Sequence, residues 1–230
     1  MFASPRLLDR YYNMRMRKKK HGEERLAACK DLLCERPEAP IADPATFFTR
    51  ATDVYLEIGC GKGDFAVGMA AAHPDVSFIA MERVSDVLVL ATEKAGRAAD
   101  SRPDNLRFIR GDARDLAAWF APSSLAGIYL NFSDPWPKAG HAKRRLTHRA
   151  FLATYIELVK PGGILALKTD NLSLFDFTLE ELAALSLTPF FQTRDLHASS
   201  EAEGTIMTEY ERNFSSQGMP IHALRVVLKK

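Results

Sequence analysis

From Asp53 onward the chain alternates short apolar runs with amphipathic ones, and this alternation constrains the fold more than any other feature. DVYLEI (53–58), VSFIAM (76–81), LRFI (106–109), GIYLN (127–131) and ILALKT (164–169) read as strands. Helices are expected over about 63–72, 84–98 and 147–159, the last capped by Thr147 and stopped at Pro161-Gly162-Gly163, with another within LFDFTLEELAAL. PFFQT and HALRVVLK read as two late strands separated by a long polar excursion. Strands apolar at nearly every position imply an α/β fold, with a parallel sheet covered by helices on both faces. Ligands of such sheets bind outside the carboxyl ends of the strands, so the residues just past each strand are the ones to read.

Before that region the signals differ. Residues 1–22 form a basic arm, with seven Lys/Arg and one acid in residues 1–21. Residues 23–50 form a lead-in, one helix over 23–34 anchored by Leu26, Leu32 and Leu33, then broken by Pro37, Pro40 and Pro44. Residues 51–230 make one domain. The formal charge of +2 hides a segregated field: residues 134–149 hold five Lys/Arg against Asp134 alone. Such a field suits a polyanion. Cys29, Cys34 and Cys60 suggest neither a disulfide framework nor a metal cluster. No apolar run of membrane-spanning length and no signal-peptide core is evident, so a cytoplasmic protein without membrane association is expected.

The strand ends carry the chemistry. YLEIGCGKGDF places Gly59, Gly61 and Gly63 after the first strand, where backbone N–H groups can approach a ligand closely. A dinucleotide fingerprint would need glycine at 64, which is Asp64. Glu57 and Asp64 would repel a pyrophosphate, whereas the cationic groups of S-adenosylmethionine suit them. Glu82 ends the second strand, the place for a carboxylate that takes ribose hydroxyls, and Asp112 follows the third, placed to accept from an adenine amino group. After the fourth comes Asp134-Pro135-Trp136-Pro137, in which each proline restricts the residue before it to extended geometry. The turn offers a fixed carboxylate and an indole to a planar base. Lys138, His141, Lys143, Arg144, Arg145, His148 and Arg149 follow, a cationic run beside it.

The stretch NFSDPWPKAGHAKRRL resembles the signature of the bacterial tRNA (guanine-N7)-methyltransferases. LEIGCGKGDF, AMER, RGDA, ALKTDN and TEYE resemble that family's other blocks, in its order, from about residue 11 to 228. The resemblance implies a Rossmann-like class I methyltransferase fold with a mostly parallel seven-stranded sheet. It implies methyl transfer from S-adenosyl-L-methionine to N7 of a guanosine in the tRNA variable loop, without a metal. It places Glu57, Glu82, Asp112 and Asp134 at the cofactor, Asp134 also being catalytic, and Lys138, Asp170, Thr208 and Glu211 at the target base. It associates His141, Lys143, Arg144, Arg145 and Arg149 with the RNA backbone. Ser133 stands where a proline is usual, and Ala139-Gly140 replaces a bulkier pair, which removes one phosphate contact and loosens the loop. Two alternatives are compatible with the residues: a class I methyltransferase acting on an exocyclic nitrogen of a base in RNA or DNA, or a non-enzymatic RNA-binding module. No obligatory protein partner is implied, and monomer and homodimer are both compatible.

Overall fold

A computed structural model describes residues 19–50, 52–97 and 103–229, so most of the basic arm lies outside the described residues. The strands are β1 (Val54–Ile58), β2 (Ser77–Glu82), β3 (Leu106–Arg110), β4 (Leu125–Asn131), β5 (Val159–Thr169), β6 (Phe191–Thr193) and β7 (His222–Val227). The helices are α1 (Gly22–Ala27), α2 (Asp64–Ala72), α3 (Ser85–Arg97), α4 (Leu116–Trp119), α5 (Arg149–Leu158), α6 (Leu172–Ala184) and α7 (Glu209–Ser215). They build one seven-stranded sheet in the order β3-β2-β1-β4-β5-β7-β6, parallel except for β7, which runs antiparallel to both neighbours. The chain order reverses between β1 and β4, so the crevice at their carboxyl ends is the switch point where ligands of open α/β sheets bind.

Alternate strand residues feed two cores, which explains why the strands read as unbroken apolar runs. Leu56, Ile79, Met81, Ile128 and Leu130 pack with Leu152 and Tyr155 of α5 and Phe175 of α6. On the other face Phe78, Ala80 and Phe108 pack with Ala66 of α2, Leu88 and Ala91 of α3, and Leu26 of α1. Cys29, Cys34 and Cys60 are all buried, behaving as small apolar side chains. Among the described residues no helix is long and apolar enough to cross a membrane.

Several boundaries differ from the sequence expectation. The lead-in is helical only over Gly22–Ala27, then a 3₁₀ turn (Lys30–Leu32) brings Leu33 alongside Phe108 of β3. β5 begins at Val159 and carries Pro161-Gly162-Gly163 within it, in the register shift against β4 between Val159 and Ile164. The proline is tolerated where the pairing is irregular. The cap of α5 is His148, whose Nδ1 accepts from the Ala150 N–H; Thr147 is wholly buried, its hydroxyl 2.9 Å from that of Thr178. The polar excursion before β7 contains α7, in which Glu209 pairs with Lys62 and Arg212 with Asp64.

Candidate active site

The glycine loop joins β1 to α2. Gly61 has φ 56, and a Cβ there would meet nothing within 4 Å, so its backbone stands open to a ligand. Gly63 serves packing instead: it caps α2 at φ 78, and a Cβ would come within 2.9 Å of the Ala91 Cβ on α3. Across the loop, Glu82 Oε2 accepts from the Gly61 N–H at 3.1 Å and Oε1 from the Val84 N–H at 2.8 Å. Burial raises the pKa of this carboxyl, and the backbone N–H groups oppose the rise. Its two oxygens are thereby fixed at the tip of β2, as a group that accepts from a vicinal diol must be. Asp112 opens a 3₁₀ turn beyond β3, accepts from the Arg114 N–H, and is gripped by the Arg114 guanidinium, which lowers its pKa.

Glu82 and Asp112 line one cavity of about 500 Å³ together with Gly59, Asp134, Trp136, Lys143 and Arg144. That volume falls in the range of small-molecule sites. Acids from the ends of β2, β3 and β4 therefore converge on one wall-to-wall space, with cations and an indole at its mouth. Trp136 departs from the extended geometry that Pro137 favours: its φ is 42, in the left-handed region. His141 meets its ring edge-on at 5.7 Å between centroids, and the Arg144 guanidinium lies 4.9 Å from the ring centre. Gly140 falls within a 3₁₀ turn (Ala139–Arg144), so the segment is folded back upon the indole.

Behind the cavity runs a buried polar row. Glu57 is buried, at 4% exposure, beneath the loop and outside the cavity wall. Its Oε1 accepts from Asn131 Nδ2 at 2.8 Å, while Oε2 is buried without a hydrogen-bond partner. Asn131 pairs in register with Lys168 on β5, whose ammonium donates to Glu211 Oε2 at 2.6 Å and to the Ile206 carbonyl at 2.8 Å. Burial pulls the Lys168 pKa down, and Glu211 offsets part of that. Burial pushes Glu57 up to about 7 from its ordinary 4.5, against the lowering effects of Asn131 and Lys168.

The Glu57 shift predicts a pH-dependent stability. Between its unfolded and folded pKa the native state holds the extra proton, so this residue's contribution is full below about pH 4.5 and lost as pH rises through about 7. Glu57→Gln keeps an oxygen for Asn131 and removes the ionisation. Its stability relative to wild type is expected to improve between pH 5 and pH 8, by up to about 3 kcal/mol. Denaturant titrations at the two pH values measure this, and a difference independent of pH would count against it.

The remaining expected residues fall elsewhere. Thr208 and Glu211 form a capping box on α7: the Thr208 hydroxyl accepts from the Glu211 N–H, and the Glu211 side chain returns to the Thr208 N–H. Glu211 is wholly buried, and its Oε1 lies 3.2 Å from His197 Nε2 without hydrogen-bond alignment. Thr-x-x-Glu is a helix-start signature, and that signal would have located α7. Asp170 follows β5, where the Tyr210 hydroxyl lies 3.5 Å from its Oδ2; Lys138 is exposed beside the turn. Two of the cations assigned to RNA are committed internally. Arg149 makes a forked pair with Glu181 of α6, and Arg145 donates to the backbone of the Asp-Pro-Trp-Pro turn. Lys168, Asn131 and the clamping role of Arg145 were not foreseen from sequence, because nothing local marks a strand lysine or one arginine in a basic run.

Comparison with known proteins gives the family and the fold. Residues 51–224 match a family model described as "Putative methyltransferase". The chain is 42% identical over 201 residues to a tRNA (guanine-N(7)-)-methyltransferase of Limosilactobacillus fermentum, spanning 84% of this chain and 92% of that one. It is 43% identical over 203 residues to the protein of the same name from Lachnoclostridium phytofermentans, spanning 88% and 94%. Among solved structures it resembles the 16S rRNA methyltransferase KamB, with a TM-score of 0.58 at 12% identity over 94% of this chain and 97% of that one. An antibiotic-related methyltransferase gives 0.56 at 14% identity over 91% and 94%. These last two establish the fold: the expected seven-stranded, mostly parallel methyltransferase sheet with helices on both faces. With relatives this similar over nearly their whole length, the chain belongs to the tRNA (guanine-N7)-methyltransferase family.

Proposed function

We propose that this protein transfers a methyl group from S-adenosylmethionine to N7 of a guanosine in the variable loop of tRNA. The observation that carries the reading is the convergence of Glu82, Asp112 and Asp134 on one cavity whose mouth holds Trp136, Lys143 and Arg144. S-adenosylmethionine would supply the electrophilic methyl group on its sulfonium. The open backbone at Gly59 and the fixed Glu82 carboxylate fit its nucleoside half, Glu82 holding the ribose hydroxyls and Asp112 the adenine amine. A tRNA substrate calls for a cytoplasmic enzyme.

Guanine N7 carries an in-plane lone pair and no proton, so the attack needs no general base. Positive charge passes onto the purine as the methyl moves. Asp134 at the cavity wall favours that charge electrostatically, and can orient the base through an N–H. Holding the base and the methyl in line supplies much of the remaining acceleration. Lys143 and Arg144, both exposed residues of the cavity lining, would supply cations for the polymer phosphates.

Incubation with labelled S-adenosylmethionine and unmodified tRNA should yield alkali-labile 7-methylguanosine. A stable exocyclic methylamine, or no transfer, would replace this reading with one of its alternatives. Lys143→Ala with Arg144→Ala should weaken tRNA binding and reduce the slope of log affinity against log salt by about 0.7–0.9 per lost phosphate contact. An unchanged slope would place the RNA elsewhere.

A further inference from the structure

We propose that Arg145 is a positioning residue for Asp134, acting through the backbone of the Asp-Pro-Trp-Pro turn and not as an RNA contact; this rests on the function proposed above. Arg145 Nε donates to the Pro135 carbonyl at 2.9 Å, and Nη2 to the Trp136 carbonyl at 3.1 Å. The guanidinium carbon lies 4.3 Å from the centre of the Phe177 ring on α6, so the planar group is held between an aromatic face and the turn. One of the two carbonyls belongs to the residue directly after Asp134. The other belongs to Trp136, whose left-handed backbone costs on the order of 1–3 kcal/mol and persists only if its surroundings hold it. A fork across both carbonyls supplies that restraint.

Within Lys143-Arg144-Arg145 the roles are therefore divided. The first two line the cavity, while the third turns inward and is only half exposed. Fork geometry matters here more than charge. Lysine keeps the positive charge but is a point donor, without arginine's rigid pair of parallel N–H directions or its stacking plane. Loss of the fork lets the turn relax and moves the carboxylate at its first position. A displacement of about 1 Å at a reacting centre can cost about 100-fold in rate.

Arg145→Lys separates this role from a phosphate contact. The expected result is a kcat lowered about 10–100-fold, with tRNA affinity and its salt slope at wild-type values. S-adenosylmethionine binding stoichiometry normalises each rate to folded protein. A wild-type kcat in Arg145→Lys would overturn the proposal. So would weakened tRNA binding with a reduced salt slope in Arg145→Gln that Arg145→Lys restores. A lowered melting temperature with an unchanged rate per folded molecule would also overturn it, by reducing Arg145 to a purely structural residue. Phe177→Leu removes the stacking plane and keeps the fork, so a smaller fall in kcat is expected from it, and a wild-type kcat there counts against the arrangement. An activity-independent reading comes from the emission of Trp136 in a Trp119→Phe background. Arg145→Lys should shift that emission and its quenching; no shift means that the turn is not held by Arg145. Absence of methyl transfer by the wild-type protein would instead refute the proposed function, while the Trp136 signal still reports on Arg145.

Discussion

Asp134→Ala is expected to lower kcat by about 10²–10³-fold, the usual effect of deleting a preorganised electrostatic group. Protein stability should remain close to wild type, because Asp134 is exposed at the cavity and belongs to neither core. Pro135 fixes the entry to the turn, and Arg145 holds the two carbonyls after it, so the carboxylate is placed without depending on its own packing. Asp134→Asn retains the shape and removes the charge. If charge stabilisation is the role, it should be nearly as impaired as Asp134→Ala. Single-turnover rates at saturating tRNA and cofactor measure this directly. Wild-type turnover in Asp134→Asn would leave the residue as a spacer and require another explanation for the rate.

Lys168→Ala should destabilise the protein by about 3–5 kcal/mol, the range for breaking a buried ion pair from one side. Glu211 is 0% exposed and Lys168 only 8%, so removal of the ammonium leaves a carboxylate with no route to water. The Ile206 carbonyl loses a donor as well. Lys168→Met combined with Glu211→Gln removes both charges and keeps an oxygen for the cap of α7. That pair should regain much of the loss, because most of the single-variant cost is an uncompensated charge. Urea titrations of Lys168→Ala and of the double variant test the claim. A single-variant loss below about 1 kcal/mol would mean that water reaches Glu211 once Lys168 is gone.

The effect should concentrate at α7. Lys62–Glu209 ties this helix to the glycine loop, and Lys168–Glu211 ties it to β5. The first pair is solvent-exposed and contributes little. The second is buried, and it holds the helix beside Asp170 and Phe132, where the Tyr210 ring packs at a tilt, 5.0 Å from the Phe132 ring. Phe132 lines the cavity, so the position of α7 bears on the cavity through that contact.

Much of the sheet was legible because parallel strands buried on both faces leave a strong local signal. β1, β2 and β3 fall within a residue of the apolar runs that announce them. Their carboxyl ends could be read as a site before any contact was known, since topology alone brings strand tips to one edge. β5 was read too short, because Pro161-Gly162-Gly163 signals a break that an irregular register absorbs. α7 was missed because its capping box resembles a pair of functional residues as closely as it resembles a helix start.

Local periodicity and chain connectivity suffice for the sheet, the helices on both its faces, and the acids at or just past the carboxyl ends of β2, β3 and β4. Which polar residues reach the cavity depends on packing between distant parts of the chain. Glu57 and Glu211 turn into a buried row with Asn131 and Lys168, while Glu82 and Asp134 open onto the shared space. That packing also divides the basic run, sending Lys143 and Arg144 to the cavity, Arg145 to the turn and Arg149 to Glu181. Charge belongs to a residue type, but the partner that neutralises or employs it is set by neighbours distant in sequence, as with Glu57 and Asn131, 74 positions apart.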